Sequence, residues 1–151
     1  LATMSVHMLW IINKSGQLIY NKNFLPIEQL GEIAGSDRAL TMASVLFGLY
    51  GMSREISPVP RDVEDASGIA LVEGSDNNMH IFETQTAVMF VLITDPRVSD
   101  AKILFKDIYE AYINYVLKNP FYVMDASGTG QPIRIPAFTE MVEQCVADFR
   151  R

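Results

Sequence analysis

Two stretches of this sequence would be apolar on both faces if they formed β-strands. This feature limits the folds that the chain can adopt. Residues 87–93 are apolar at every position, and residues 5–12 carry apolar side chains at both alternating sets of positions. In the earlier stretch we assign Val6, Met8, Trp10 and Ile12 to one face and Leu9 and Ile11 to the other. Successive side chains of a strand point to opposite faces, so such a strand must be covered on both sides. We expect two central strands in one sheet.

The segments between and after these strands complete a predicted order of β-β-α-β-β-β-α-α. Turn residues at Asn13-Lys14-Ser15-Gly16 predict a hairpin into a second strand over 17–24. The remaining predicted strands cover 68–73, 79–84 and 87–94, and the predicted helices cover 37–56, a long segment from Asp95-Pro96 to Pro120, and 137–149. We predict an α+β fold in which a five-stranded, mostly antiparallel sheet has one helix on one face and two on the other.

The charge and cysteine content exclude several classes of protein. The net charge is −6, and the Lys and Arg residues are scattered along the chain. This distribution disfavours binding to nucleic acid and disfavours binding to a membrane through electrostatic attraction alone. No apolar run reaches the roughly 18 residues of a transmembrane helix. A single cysteine, Cys145, forbids an intrachain disulfide and fits the cytosol. We expect one domain over 4–151, with Met4 as the natural start and residues 1–3 as an added remnant.

The sequence offers little for catalysis, metals or cofactors. His7, His80 and Cys145 are too few for a structural zinc site, and all three fall on predicted strands or helices as core positions. The segment Ser127-Gly128-Thr129-Gly130 lacks the spacing of a phosphate-binding loop. We predict no catalytic, metal or cofactor-binding residues.

The first predicted helix carries more apolar surface than one sheet can cover. Its apolar side chains occupy about two thirds of the circumference, whereas a helix on a sheet needs a stripe little over 100° wide. Thr41, Ser44, Gly48 and Gly51 form the remaining small stripe, where another backbone could approach closely. We interpret the excess apolar surface of the first helix as a contact surface for a partner protein. The second predicted helix offers a weaker candidate for such a contact surface. The candidate interface residues are Met42, Val45, Gly48, Leu49, Met52, Ile56, Tyr109, Ile113 and Leu117.

The alternative is that the protein covers this helix itself. Its own loops would then lie over the apolar face, and the two glycines would fit against the sheet. For the second helix, an exposed apolar strip is equally compatible with ordinary surface composition.

Several segments along nearly the whole chain form a recognisable set. In the N-terminal half they are the opening hairpin over 11–20, Phe82-Glu83-Thr84-Gln85-Thr86 with the strand after it, and Thr94-Asp95-Pro96-Arg97. In the C-terminal half they are Ile108-Tyr109-Glu110-Ala111-Tyr112, Lys118-Asn119-Pro120-Phe121-Tyr122 and Pro132-Ile133-Arg134. Together these segments resemble the synbindin-type longin subunits of the TRAPP vesicle-tethering complex. Ala87 stands where these subunits carry a turn glycine, which predicts a reshaped turn.

The resemblance implies a longin or profilin-like fold and a role without catalysis of its own. TRAPP assemblies tether vesicles between the endoplasmic reticulum and Golgi and promote nucleotide exchange on Rab-type GTPases. The implied partners are other small TRAPP subunits and, through the assembly, a Rab-type GTPase, with a cytoplasmic location at the surface of these membranes. The large insertion of the mammalian form is absent here, so its functions are not carried over.

Three alternatives stay open. A sister longin subunit, such as a sedlin-like one, has the same fold. A longin adaptor or SNARE-regulatory module would usually continue into a further helical segment. A small enzyme on this sheet would need a concave polar pocket with converging titratable groups.

Overall fold

A computed structural model describes residues 6–25, 36–58, 70–122 and 131–149, and the loops predicted between these ranges lie outside the description. The strands are β1 (Val6–Ile12), β2 (Leu18–Asn23), β3 (Leu71–Glu73), β4 (Asn78–Glu83) and β5 (Met89–Thr94). The helices are α1 (Ser36–Glu55), α2 (Lys102–Tyr112, continued by a π-helical turn over Ile113–Leu117) and α3 (Pro136–Phe149). The predicted element order is confirmed.

The two strands that the sequence marks as central are central. The sheet order is β2-β1-β5-β4-β3, and each neighbouring pair is antiparallel. All six residues of β5 are buried, as are all residues of β1 except the half-buried His7. β1 and β5 pair with each other, so the two most apolar strands form the middle of the sheet.

One helix covers one face of the sheet and two cover the other, which confirms the predicted α+β layers. α1 packs on Met8, Trp10 and Ile12 of β1 and on the same-facing side chains of β5. α2 and α3 pack on the opposite face, around Leu9 and Phe90. The fold is consistent with a longin-like arrangement, and within the described ranges α1 is the one helix on its face of the sheet.

The prediction that Val6 shares a face with Met8, Trp10 and Ile12 is wrong. Val6 lies in the core under α2 and α3, together with Leu9 and Ile11. The register against β5 shifts between Val6 and Met8, because Val6 pairs with Thr94 and Met8 with Ile93. An irregularity of this kind reverses the side-chain alternation of the residues beyond it.

The first hairpin closes through Asn13 and touches α1. The side-chain Oδ1 of Asn13 accepts hydrogen bonds from the backbone N–H groups of Ser15 and Gln17, at 3.0 and 2.9 Å. Gly16 has a φ of 88°, and a Cβ there would lie 2.9 Å from the ring of Phe47 in α1. Glycine is therefore needed both for the backbone conformation and for contact with the helix.

The second helix begins later than predicted. Asp95-Pro96 forms a turn rather than a helix entry, in which the Val98 N–H donates to the Asp95 carbonyl at 3.0 Å. The Asp95 carboxylate binds the backbone N–H and guanidinium of Arg97, and these bonds lower its pKa to about 2. Asp100 instead precedes the helix, with its Oδ1 accepting the Lys102 N–H at 3.0 Å. An Asp-Pro pair suits a turn as well as a helix start, and periodicity alone does not separate the two.

Ala87 occupies the turn between β4 and β5 with a φ of 65°, in the left-handed region. Its N–H donates to the Thr84 carbonyl at 3.0 Å, and the Thr84 hydroxyl accepts the Val88 N–H at 3.2 Å. The turn keeps a conformation suited to glycine although the side chain is alanine. A left-handed alanine costs roughly 1–2 kcal/mol.

Replacing Ala87 with glycine is expected to stabilise the protein. Relief of the strain outweighs the greater freedom of glycine in the unfolded chain, leaving a net gain of about 0.5–1 kcal/mol. Thermal unfolding followed by circular dichroism should show Tm rising by about 1–4 °C. Ala147, exposed within α3, is the matched control, because glycine there should lower the stability by about 1 kcal/mol. A fall in Tm for Ala87→Gly would contradict the strained turn.

Candidate functional site

The inward face of α1 is narrow and built of small and aromatic residues. Ala39, Ala43, Leu46 and Tyr50 are buried against the sheet. They recur every three or four residues, as expected of one helical stripe. Trp10 is fully buried beneath them, and its indole N–H finds no partner in the described part of the chain. This contact holds α1 on the sheet and fixes which face points outwards.

The outward face of α1 is apolar and exposed. Val45 is 62% exposed, Leu49 43%, Met52 67% and Ile56 82%. Their spacing of four, three and four residues places them in one line about 16 Å long, at 1.5 Å per residue. We call these four residues the outer stripe. A line of large apolar side chains in water is unusual for a monomer surface and is typical of an interaction site.

Gly48 and Gly51 do not contact the sheet. Both are exposed, and a Cβ added at either position would meet no other atom within 4 Å. This excludes, for the described residues, the alternative in which the glycines fit against the sheet. At 100° per residue, Gly48 lies about 60° around the helix from Val45, whereas Gly51 lies about 120° away. Gly48 therefore borders the outer stripe and Gly51 does not.

The other candidate interface residues are less exposed. Met42 is half-buried and packs against the core under α1. Tyr109 is half-buried in a ring cluster, with its centroid 5.9 Å from that of Phe82 and 6.2 Å from that of Phe90. Ile113 is half-buried and Leu117 is 37% exposed. The structure thus places five of the nine candidates on the outward side of α1. In the α2 group Tyr109 and Ile113 are half-buried and Leu117 is exposed.

Within the described ranges, three large exposed apolar residues lie outside the nine candidates, and one of them, Leu40 in α1, is 49% exposed. Phe121 is 87% exposed in a turn, where its N–H donates to Asn119 Oδ1 at 2.9 Å. Ile103, in the first turn of α2, is also exposed. No local pattern in the sequence distinguishes an exposed ring such as that of Phe121 from a packed one.

A groove of about 650 Å³ runs between the edge of β4 and α2. Its described lining is largely apolar, with Phe82, Phe105 and Tyr109 on one side. His80 Nε2 lies 3.0 Å from the Thr94 hydroxyl, and burial lowers the pKa of this histidine. Glu83 accepts a hydrogen bond from Arg54 at 2.9 Å. These polar groups hold structural partners, which agrees with the structural role predicted for His80.

Cys145 is half-buried against the core of α2 and α3. Burial raises the pKa of its thiol, and the carboxylates of Asp107 and Asp148 raise it further. A thiol in such surroundings is a poor nucleophile, since the thiolate is the reactive form. Across the described ranges, no three His, Cys, Asp or Glu side chains converge as metal ligands would. None of the helices in those ranges is both long and apolar enough to cross a bilayer.

Comparison with known proteins identifies the family to which this chain belongs. Residues 6–149 match the model of the sybindin-like family. The match covers both central strands, α1 with its outer stripe, and the paired helices α2 and α3. Sequence resemblance and fold therefore agree over the same residues.

Individual relatives carry the name of trafficking protein particle complex subunits. Subunit 4 of Dictyostelium discoideum is 32% identical over 122 residues, which cover 81% of this chain and 85% of that protein. Subunit 4 of Bos taurus is 33% identical over 105 residues, covering 70% of this chain and 44% of its own length. Subunit 1 of Dictyostelium discoideum is 31% identical over 120 residues, covering 78% of this chain and 80% of that protein.

Proposed function

Because this chain belongs to the sybindin-like family, we propose that it is a non-catalytic subunit of a trafficking protein particle (TRAPP) complex and docks through the outer stripe of α1. The relatives named above are subunits of that complex. In the part of the chain that the structure describes, α1 is the one helix on its face of the sheet, and we assign its outward side to a neighbouring subunit.

The exposure of the outer stripe is the observation that carries this proposal. Val45, Leu49, Met52 and Ile56 form one line without an intervening charged side chain on the same arc. A partner helix laid along them would bury all four, and the absence of a Cβ at Gly48 would let the two backbones approach closely. A few buried residues near the centre of an interface provide most of the binding energy in protein complexes, and the interface core contains few charged residues.

We propose that the assembly, rather than this chain alone, acts on a Rab-type GTPase between the endoplasmic reticulum and Golgi. The support for the GTPase is the resemblance to TRAPP subunits alone. In the β4–α2 groove, His80 and Glu83 are hydrogen-bonded to Thr94 and Arg54, which favours a structural role for these two side chains. On this view the chain needs no cofactor, and it reaches membranes from the cytoplasm through its partners.

Affinity purification tests the proposed function directly. A tagged copy of the full chain should retain other small TRAPP subunits, identified by mass spectrometry, and the purified assembly should accelerate nucleotide release from a Rab-type GTPase. A tagged chain that purifies alone from its own cells, at native expression level, would contradict membership of such a complex. If the subunits are retained but nucleotide release from the GTPase is not accelerated, the proposed exchange activity is contradicted and membership of the complex still stands.

A sister position in the same complex is the second candidate. The identities to subunit 4 and subunit 1 of Dictyostelium discoideum differ by one percentage point, at 32% and 31%. Complementation decides between them, because the chain should replace only the subunit whose neighbours it binds. Rescue of cells depleted of subunit 4, without rescue of cells depleted of subunit 1, is the result we expect.

Replacing Gly48 with alanine should stabilise the isolated chain and weaken docking. Alanine is more favourable than glycine inside a helix by about 1 kcal/mol, and the added Cβ meets nothing in the free chain. In the complex the same Cβ would meet the partner, and overpacking of this kind costs about 1–3 kcal/mol. Thermal unfolding and partner affinity should therefore change in opposite directions.

Gly51→Ala is the matched control for this substitution. Gly51 lies in the same helix and its added Cβ also meets nothing, but it faces away from the outer stripe. We expect a higher Tm with unchanged partner affinity. Equal affinity for Gly48→Ala and the wild-type chain would contradict close packing of the partner at this position.

A further inference from the structure

The end of α1 carries a sequence and a geometry suited to covalent control. Of the seven prolines, only Pro58 follows a serine or threonine, so Ser57-Pro58 is the single site with the core recognition pair of proline-directed kinases. Ser57 lies just beyond the last helical residue, next to Ile56 of the outer stripe. Pro58 is exposed and Ser57 is half-buried. The residue before a proline favours an extended backbone, which is the form in which kinases bind their substrates.

We propose that Ser57 is phosphorylated by a proline-directed kinase and that the phosphate releases the partner from α1; this inference rests on the proposed docking function. The γ-phosphoryl group of ATP moves to Ser57 Oγ. A P–O bond forms to Oγ, the bond to the β-phosphate oxygen breaks, and ADP leaves. The hydroxyl proton passes to the catalytic aspartate of the kinase.

The phosphate would arrive where α1 tolerates negative charge least. The carbonyl groups of the last turn point towards the helix C-terminus and give it partial negative charge. Ile56 N–H donates to Met52 O at 3.2 Å and Ser57 N–H to Arg54 O at a weaker 3.4 Å, and Glu55 lies beside them. A phosphate adds a charge of about −2, which repels both the carboxylate and the carbonyl groups. These two hydrogen bonds are the ones it should break.

Arg54 gives the phosphate a second point of action. Its guanidinium lies 2.9 Å from Glu83 Oε1 and links the end of α1 to β4. Phosphate binds arginine more strongly than a carboxylate does, and Arg54 is three residues from Ser57. Transfer of the guanidinium from Glu83 to the phosphate would detach the last turn from the sheet. Met52 and Ile56 would then leave the line that they form with Val45 and Leu49.

The purified full chain, incubated with a purified cyclin-dependent or mitogen-activated kinase and Mg-ATP, tests the proposal. Mass spectrometry should place one phosphate on Ser57, absent from Ser57→Ala and much reduced in Pro58→Ala. Hydrogen exchange on the isolated chain should show faster exchange at the amides of Ile56 and Ser57. The phosphorylated chain should bind the co-purifying TRAPP subunits at least about tenfold more weakly, whereas Ser57→Ala treated with kinase should bind as the untreated chain does.

Three results would overturn the proposal: no phosphate on Ser57 while the kinase modifies a control Ser-Pro peptide, unchanged exchange after phosphorylation, or unchanged affinity after phosphorylation. Failure of the proposed function has a different signature. The unmodified chain would then bind no TRAPP subunit, while hydrogen exchange on the isolated chain would still decide whether the phosphate frays the end of α1.

Discussion

Glutamate at both Val45 and Met52 will abolish co-purification of the partner subunits while the chain itself stays folded. Both side chains are exposed on the outer stripe, so the free chain keeps the two carboxylates in water. Docking would bury them without a cationic partner, and an unpaired buried charge costs about 3 kcal/mol or more. We therefore expect at least about a 100-fold loss of affinity. Pull-down from cells and titration with the purified partner measure it.

Ala137→Glu/Ala147→Glu is the matched control. Both alanines are exposed on α3, which packs on the opposite face of the sheet from α1. This variant adds the same two carboxylates away from α1, so partner affinity should stay within about twofold, as surface substitutions usually have small effects. The far-ultraviolet circular dichroism spectra and Tm values of both variants should match the wild-type chain. If Val45→Glu/Met52→Glu retains full affinity, α1 does not dock through these residues.

Trp10→Ala will cost about 3–5 kcal/mol of stability and will impair docking indirectly. Trp10 is fully buried in the core that joins β1 to the inward face of α1. Its removal leaves a cavity beneath Ala39, Ala43 and Leu46, and small domains have only about 5–15 kcal/mol of stability in total. Urea unfolding followed by circular dichroism measures the loss. Partner affinity should fall as well, because α1 loses the contact that orients it.

Trp10→Phe separates packing from the indole N–H group. This N–H is buried without a partner in the described ranges, so its loss removes an uncompensated polar group. Phenylalanine keeps most of the ring volume, and we expect a much smaller loss than for alanine. A loss of less than about 1 kcal/mol in Trp10→Ala would contradict the tight packing described for this face.

The layers of the fold follow from sequence because burial on both faces leaves a strong signal. β1 and β5 are apolar at both sets of alternating positions, and they occupy the middle of the sheet as predicted. The separate helical patterns of α1 and α3 begin within one residue of their predicted starts. Periodicity of this length records which surfaces must avoid water.

Local irregularities do not follow from the sequence in the same way. The shift beside Val6 depends on pairing with Thr94 and Ile93 of β5, more than 80 residues along the chain, so no local window contains it. Likewise, Asp95-Pro96 is compatible with a turn and with a helix start. The turn conformation is stabilised by the hydrogen bond from the Val98 N–H to the Asp95 carbonyl. The Asn78 side chain stabilises it further by donating to the carbonyls of Pro96 and Val98, both at 3.1 Å. Tertiary partners fix such choices.

The candidate site is predictable only in part, for a related reason. Excess apolar circumference identifies α1, and the outward side of that helix carries the exposed residues. The same reasoning cannot tell which side chains neighbouring elements cover. Tyr109 is packed among the rings of Phe82 and Phe90, whereas Phe121 is left exposed. Exposure depends on the whole fold, and a count of apolar residues in one element leaves it open.

Methionine oxidation tests the docking of α1 most directly. Met52 is 67% exposed on the outer stripe, whereas Met8 and Met89 are 0% and 1% exposed in the core and serve as internal references. Oxidation by hydrogen peroxide follows exposure and is read by mass spectrometry. We expect rapid sulfoxide formation at Met52 in the free chain and strong protection in the purified complex, with slow oxidation of Met8 and Met89 in both. Equal oxidation of Met52 in the free chain and the complex would contradict docking through α1.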